Sequence, residues 1–521
     1  MKKFKLITIM LCCFIFLSAV IFHYVRLTSS EKKALSETWS KSLKLSEGNS
    51  HSELASCKVD GQIISVFKEN ENIKIIEFTE LGEISKKAVI TEGKDIRNIR
   101  VVYKVDNLKV MYTEWVGDKR KLSLLTLDRE LNLINAGEVL DVIDAEFLNE
   151  DKMCILKKSS IEIIDWSGKI ESKFESNNLG KIEVIENEDE YFMVAFKNSG
   201  ELLRSLYKSG DKTLKFVEFE RINIGSFKGL REMYLGENEE QFYVLLEMYS
   251  KSQYDGIDMI SYSKRNGNVI KNKIDLSNKN KMKDFTKINN EGEFLCSIQR
   301  DVGKKRVEYD IARVHFKGSE IDEIEYITKS ITQSRYPQYL ENTIVLMEGI
   351  DSKHADFALL STMDEVKLMV NNKLNNHEKS YVFSEILNFI VYSSIFSFLI
   401  GWIWMTFGIF VFIGITIYND RIYDKKKKAR MFLLGCCIMM LFKNYEVYGL
   451  FYVKGNEFMT GIMNNVIIGM GISVFISIIT SIAAYIGYKD DCESIPFLKF
   501  IIWFIPDVVL TMMFLYPYIM I

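Results

Sequence analysis

The sequence predicts a multi-domain membrane protein: an all-β ectodomain, taken to be a seven-bladed β-propeller, with an N-terminal signal-anchor helix and a C-terminal four-helix transmembrane bundle. Three observations predict it. Long uncharged apolar segments occur only at the two ends of the 521-residue chain. The region between them consists of short alternating strand patterns that recur at nearly constant spacing. A run of basic residues between two apolar segments indicates which side of a membrane each part faces.

The composition narrows the classes of function. A net charge of −3 argues against a nucleic-acid-binding protein, which would carry a basic surplus. The histidines and cysteines show no metal-ligand spacing, and no phosphate-binding loop or nucleophile motif is present. The sequence therefore predicts no catalytic residue, no metal site and no cofactor. Because propeller enzymes collect their residues from several blades, this leaves the question of activity open while favouring a non-enzymatic role.

Residues 1–27 are predicted to form a retained signal anchor. Three lysines among the first five residues precede about 20 uncharged residues, Leu6–Val25, which exceeds the usual core of a cleaved signal peptide and is long enough to cross a bilayer. Cleavage is the alternative. The N-terminus is expected to be cytoplasmic.

Residues 28–53 are predicted to be a polar stalk. Leu35, Trp39 and Leu43 are four residues apart and would share one face of a short helix that packs on the ectodomain or a partner. A solvated stalk with one short helical stretch is the alternative.

Residues 54–370 carry the strand pattern. A strand, an acidic or Asn-containing turn and a second strand recur at intervals of roughly 38 to 52 residues, the period of propeller blades. The seven turns lie around Asp60, Asp106, Glu150, Glu188, Asn238, Asn290 and Glu341. A β-sandwich or an irregular solenoid is the alternative interpretation.

A propeller also suits the two flanking segments, because a closed ring brings its first and last strands together. The stalk and a linker at residues 371–385 would then leave the domain side by side. In the third repeat, four strands are predicted at Glu146–Leu148, Met153–Lys157, Ile161–Asp165 and Lys169–Phe174.

Residues 386–521 are predicted to be a transmembrane domain with helices at about 386–418, 429–453, 458–488 and 496–521. The loop between the first two contains the topology determinant, which should stay in the cytoplasm: Lys425, Lys426, Lys427, Lys428 and Arg430. The chain is then a multi-pass protein of a bacterial plasma membrane, with residues 54–370 extracytoplasmic. The bacterial origin is inferred from the Lys, Ile and Asn bias.

Several polar residues lie within the predicted spans: Lys443, Glu446, Asn464, Asn465 and Asp507. At 1.5 Å per residue, Lys443 and Asp507 reach comparable depths, so we expect them to contact each other. Ionisable groups in hydrocarbon usually pair or line a polar path. The cluster is therefore interpreted either as a structural pair or as an ion or small-solute site.

A stripe of small residues, Gly469, Ser473, Ser477 and Ser481, follows a four-residue spacing. Small side chains let helices approach closely in lipid. This helix-packing seam is expected either to join helices of one chain or to form a homodimer through the C-terminal bundle.

The leading hypothesis is a membrane-anchored receptor or scaffold. Its propeller would bind a protein, peptide or glycan, and its helices would contact the lipid bilayer. The alternatives are a transport-related protein with a site among the helices, and an extracytoplasmic propeller hydrolase or lyase.

Overall fold

The computed structural model describes residues 2–48, 53–93, 95–104, 106–187, 190–224, 228–251, 253–274, 281–300, 308–318, 320–329, 331–349, 354–453, 465–489 and 495–516. The chain divides into two compact units. One comprises residues 1–32 and 374–521, and the other residues 33–373.

Within the described residues, the unit 33–373 contains 28 strands. The first fourteen are β1 Leu43–Gly48, β2 Leu54–Val59, β3 Gln62–Glu69, β4 Asn72–Thr79, β5 Ile84–Glu92, β6 Arg97–Lys104, β7 Asn107–Val116, β8 Lys119–Leu127, β9 Leu133–Leu140, β10 Val142–Phe147, β11 Lys152–Lys157, β12 Ser160–Asp165, β13 Ile170–Glu175 and β14 Leu179–Asn187.

The remaining strands are β15 Glu190–Lys197, β16 Glu201–Lys208, β17 Val217–Arg221, β18 Lys228–Glu237, β19 Gln241–Ser250, β20 Gln253–Ser263, β21 Val269–Ile274, β22 Met282–Lys287, β23 Glu293–Arg300, β24 Glu308–Lys317, β25 Glu320–Tyr326, β26 Gln333–Leu340, β27 Thr343–Gly349 and β28 Ala355–Ser361.

The strands pair in chain order. Strands β2 to β21 form five four-stranded sheets, each an antiparallel meander. The remaining eight strands form one sheet in the order β1-β28-β27-β26-β24-β23-β22, with β25 paired to β24. A single parallel bridge, between Tyr309 and Gln333, joins its two halves.

Apolar side chains between consecutive sheets form separate core clusters, and the series closes on itself. Phe192 of β15 stacks on Phe242 of β19 with 4.0 Å between ring centroids. Phe67 of β3 stacks in the same way on Phe357 of β28, at 4.7 Å, so the last strands pack against the first sheet. Meander sheets that pack in sequence and return to the first make the unit a β-propeller.

The predicted stalk at 28–53 is partly wrong, because it contains the strand that closes the last sheet. β1 pairs antiparallel with β28, from Leu43 opposite Leu359 to Gly48 opposite Ala355. The expected helix around Trp39 is also wrong, since residues 33–42 are not helical. Trp39 is instead buried among core side chains of β23, β24 and β27. Burial of the indole outweighs the weak preference for a helix in so short a segment.

The repeat landmarks that lie in described residues mark equivalent turns of their repeats. Six of the seven lie between the first and second strands of successive four-strand groups; Glu188 lies outside the described residues. Asp60, Asp106 and Glu341 have φ values of 47°, 67° and 57°, a backbone region that Asp and Asn tolerate better than most residues. The four strands predicted for the third repeat correspond to β10–β13.

The two ends of this unit are hydrogen-bonded to each other. Lys41 donates from its backbone N–H to Asn371 Oδ1 at 2.9 Å and from its Nζ to the Lys373 carbonyl at 2.9 Å. Ser40 donates to the Ser361 carbonyl at 2.8 Å. The entering and leaving segments are therefore fixed side by side.

The predicted linker at 371–385 is shorter than expected. A helix α2, Asp364–Val370, precedes it, and a long helix α3, Asn376–Asn419, begins within it. Asn375 and Glu378 form a capping box at the start of α3, which stabilises a helix start at this position.

The other unit is helical. It contains α1 Lys2–Lys32, α3, α4 Lys425–Val447 with a π-helical turn Tyr448–Val453, α5 Val466–Lys489 and α6 Pro496–Leu515. In the described part of the chain, five helices are long and apolar enough to cross a membrane. Four differ from the predicted bounds: α1 continues to Lys32, α3 begins ten residues early because of its cap, α4 begins at Lys425, and α5 begins at Val466. The described part of α6 ends at Leu515.

The closing strand should contribute directly to the stability of the propeller. Leu45 of β1 is buried against the first and last sheets, so Leu45→Ala should lower the free energy of unfolding by about 2–4 kcal/mol. Urea unfolding of residues 33–373 measures it.

Leu206→Ala, at a site 47% exposed on β16, is the matched control and should change stability by less than about 0.5 kcal/mol. Equal effects of the two substitutions would show that β1 does not help to hold the ring closed.

Candidate functional site

The propeller axis contains a polar cavity of about 320 Å³. It is lined from residue 53 and from the first strands of successive four-strand groups, β2, β6, β14, β18, β22 and β26. Its polar lining residues are Glu53, Asn98, Arg100, Lys181, Glu183, Arg231, Glu232, Tyr234, Asp284, Thr286, Lys287, Tyr336 and Gln338. A cavity of this size with convergent polar groups is typical of a small-ligand site.

Ion pairs connect neighbouring first strands on one side of the cavity. Arg100 of β6 donates from Nε to both carboxylate oxygens of Glu146 on β10, at 2.9 Å each. Lys181 of β14 lies 2.6 Å from Glu232 Oε2 on β18. Asp144 of β10 accepts from Asn98 Nδ2 at 2.6 Å. These contacts fix the inward side chains of β6, β10, β14 and β18 relative to one another.

A second polar network lies on the other side. Arg335 of β26 makes a two-point contact with Asp284 of β22, with its second nitrogen 3.0 Å from Oδ1. Arg231 donates to the Tyr249 hydroxyl at 2.6 Å, and that hydroxyl donates to Glu247 at 3.1 Å. Burial, together with the neighbouring Asp284 carboxylate, raises the pKa of Glu247 to about 7, although Arg231 opposes the shift.

Lys283 lies beside this network, and its pKa is shifted in the opposite direction. Its Nζ lies 3.5 Å from the centroid of the Tyr309 ring. Burial and the nearby Arg335 charge lower the pKa of Lys283 to about 7. Glu247 and Lys283 both titrate close to neutral pH.

Glu183 of β14 differs from the other carboxylates of the cavity. Burial raises its pKa well above the ordinary value, and the neighbouring Glu146 and Asp144 charges add to the shift, while Arg100 opposes it. Among the described residues its carboxylate has no ion-pair or hydrogen-bond partner. It is a half-buried acid that faces an open cavity.

These residues were not predicted from the sequence, because each strand contributes only one or two of them. The available signal was a charge at alternate positions of a first strand, as at Asp144 and Glu146 or at Lys181 and Glu183. Such alternating charges are equally typical of the solvent-exposed face of a strand.

In the helical unit, the structure brings Lys443 and Asp507 together. Lys443 Nζ lies 2.7 Å from Asp507 Oδ2 and donates to Thr511 Oγ1 at 2.8 Å. Thr480 of α5 donates to Asp507 Oδ1 at 3.1 Å. Lys443 and Thr511 are fully buried, so three helices meet at one buried ion pair.

The other predicted members of the cluster do not join it. Glu446 is half-buried and has no partner among the described residues, since three residues along an α-helix turn its side chain about 60° from that of Lys443. Asn465 is exposed and caps α5 by accepting from the Ile467 N–H at 3.0 Å. Asn464 lies outside the described residues.

Asn444 of α4, which was not predicted from the sequence, is the buried polar residue that contacts α5 instead. It accepts from Ser473 Oγ at 2.7 Å and donates to the Met440 carbonyl at 2.8 Å. The helix-packing seam thus faces α4 of the same chain. A Cβ on Gly469 would collide with the Tyr452 hydroxyl, so that glycine permits a close approach.

A small cavity of about 30 Å³ borders the ion pair and is lined by Asp507, Ser477, Thr480 and Ser481, among others. The space is sufficient for one water molecule. Ser481, the last residue of the seam, therefore lies at this cavity.

The predicted topology determinant forms the first turn of α4. Asp424 caps it by accepting from the Lys426 N–H at 2.9 Å, and Lys425, Lys426 and Lys427 are exposed. Four lysines at a helix N-terminus oppose the helix dipole. Helix stability therefore does not account for them.

Comparisons with known proteins add little beyond the fold. No protein-family model matches the chain, and no curated protein does. The β-propeller domain of the Trilobed protease from Pyrococcus furiosus is 13% identical over 62% of this chain and 98% of that chain, with a TM-score of 0.40. The WD40 β-propeller domain of Doa1 is 10% identical over 63% of this chain and 98% of that chain, with a TM-score of 0.41. The Dos1 propeller is 9% identical over 63% of this chain and 94% of that chain, with a TM-score of 0.38. Similarities this low carry no argument, so the propeller assignment depends on the strand pairing and packing.

Replacing one member of the buried Lys443–Asp507 pair should destabilise the protein more than replacing both members. Lys443→Met leaves the Asp507 carboxylate unpaired and Asp507→Asn leaves the ammonium unpaired, which typically costs about 3–5 kcal/mol. Both single variants should therefore reduce membrane yield and melting temperature in detergent.

The double variant Lys443→Met/Asp507→Leu should recover most of the loss, and Lys426→Met, at an exposed lysine, should change neither quantity. Damage in the double variant as great as in the single variants would contradict a structural pairing.

Proposed function

We propose that this protein is a membrane-anchored receptor or binding module in which a seven-bladed propeller binds a polar ligand, a peptide or a glycan, in its axial channel. The observation that carries the proposal is the cavity of about 320 Å³, which is lined by charged, amide and tyrosine side chains from five first strands and by Glu53. Such a lining supplies the few fixed polar groups that orient a ligand.

The count of seven blades follows from dividing the eight-stranded sheet in two. Strands β22 to β25 make one four-strand group, and β26, β27, β28 and β1 make the other. With the five separate sheets this gives seven groups, matching the seven repeat landmarks.

Binding is favoured over catalysis because most charged groups of the channel are already engaged. Arg100, Lys181 and Arg335 each contact a carboxylate on a neighbouring strand. Paired charges preorganise a binding surface, whereas acid–base chemistry needs groups free to exchange protons. Glu183, with its raised pKa, is the feature that favours the alternative, a hydrolase or lyase in the same channel.

A transport role is the second candidate, supported by Lys443, Asp507 and the water-sized cavity beside them. It ranks lower because the ion pair is satisfied by Thr480 and Thr511 and the cavity is small.

The channel should account for ligand binding. A panel of short peptides and oligosaccharides is tested for its effect on the melting temperature of the full chain in lipid nanodiscs. At least one compound class should raise the melting temperature of the parent protein, and Gln338→Trp, which fills the cavity, should abolish the shift.

Leu133→Trp, on the exposed strand β9, is the matched control and should keep the shift. A shift that survives Gln338→Trp, or no shift with any compound, would refute the channel as a binding site.

We infer further that the protein is a multi-pass protein of a bacterial plasma membrane, with a retained N-terminal anchor. Residues 54–370 would lie outside the cytoplasm, because Lys425–Lys428 resist translocation.

A membrane-impermeant maleimide tests this orientation. Glu239→Cys, in an exposed propeller turn, should be labelled in intact cells above the parent protein. Lys427→Cys should be labelled only after lysis. The reverse pattern would invert the topology.

A further inference from the structure

We propose that the channel binds the ammonium group of an amine-bearing ligand, such as a lysine side chain, and that the Glu183 carboxylate is its counter-ion. This inference rests on the proposed binding function and specifies the charge of the ligand. It follows from the pairing of charges around the cavity and from the position of Glu183 within it.

Every basic side chain that lines the cavity already lies near a carboxylate. The ion pairs are Arg100 with Glu146, Lys181 with Glu232 at 2.6 Å, Arg231 with Glu247 at 3.8 Å, and Lys287 with Glu237 at 2.9 Å. Within the described residues none of these cations is left over for Glu183. Glu183 is therefore left without a positively charged partner among the described residues, and an incoming cation would correct this.

The position of Glu183 makes that correction favourable. A carboxylate in a partly desolvated site is unstable when ionised unless a positive charge is close. The charged groups around Glu183 are Glu146 and Asp144 of β10, Arg100 of β6 and Lys181 of β14. Two of these four are acids, and both bases are paired with other carboxylates, Arg100 with Glu146 and Lys181 with Glu232, so the protein does not supply the missing charge.

In the free protein, burial and the neighbouring carboxylates favour the protonated form of Glu183. An ammonium group placed beside it would favour the ionised form, so binding should release a proton. Affinity for the cation should then rise with pH until Glu183 is ionised in the free protein.

The rest of the cavity suits the uncharged part of such a ligand. Tyr234 and Tyr336 provide aromatic surface, and Asn98 and Gln338 provide amide groups. The cavity volume of about 320 Å³ is large enough for a lysine-sized group with its flanking amides.

The test uses Nα-acetyl-lysine methylamide as the probe and its Nε-acetyl derivative as the neutral match. Isothermal titration calorimetry of the full chain in nanodiscs should detect binding of the first compound only. Glu183→Gln should weaken binding at least about tenfold, the usual effect of losing a charge-assisted hydrogen bond. Glu239→Gln, in an exposed turn, should leave it unchanged.

Titrations of the parent protein in two buffers of different ionisation enthalpy provide a second readout that needs no variant. They should show proton release on binding and tighter binding at higher pH. Equal binding of the neutral compound, no binding of either, or no proton release would overturn the inference.

The test also distinguishes failure of the ammonium site from failure of the proposed binding function of the channel. Neutral or anionic compounds that stabilise the parent protein but not Gln338→Trp would refute the ammonium site while leaving the channel as the binding site.

Discussion

The pairing of β1 with β28 is the interaction on which the rest of the propeller depends. Each four-stranded sheet buries its faces only against its neighbours, so a ring that fails to close would leave apolar surface exposed at both ends. The segment Leu43–Gly48, from the start of the unit, supplies the last strand of the final sheet. Stability of the ring therefore depends on residues more than 300 positions apart in sequence.

Closure also determines what lies on the axis. Once the sheets are fixed around a ring, their first strands face one another, and the inward positions of those strands form a single polar lining. Contacts between adjacent first strands, such as Lys181 with Glu232 and Arg335 with Asp284, hold that lining in place. The same architecture that buries the apolar sheet faces thus brings charged residues from distant parts of the chain together.

The repeat could be predicted from the sequence because Asp, Asn and Glu at the landmarks mark the turn after each first strand, and turn chemistry is local. The contact between Lys443 and Asp507 could be inferred because the rise of an α-helix fixes depth along its axis. The rotation of a side chain about that axis is less certain, so Glu446 was expected in the cluster and Asn444 was not.

Two features could not be read from local patterns. The closing strand β1 has the composition of a polar stalk, and only its partner β28, far along the chain, identifies it as a strand. The channel residues likewise acquire meaning only when the ring brings them together. Glu183 is one of many glutamates in the sequence, and its surroundings are set by strands β6, β10 and β18 rather than by its neighbours in the chain.

The two polar clusters satisfy their charges differently, and this difference is the reason for placing the proposed ligand in the channel. Among the helices, Lys443, Asp507, Thr480 and Thr511 complete one another's contacts within the chain. A network whose members are all satisfied contributes specificity to helix packing and needs nothing further. In the channel, by contrast, the pairing stops one charge short at Glu183. The proposed ammonium ligand would complete this network by supplying the positive charge that Glu183 lacks.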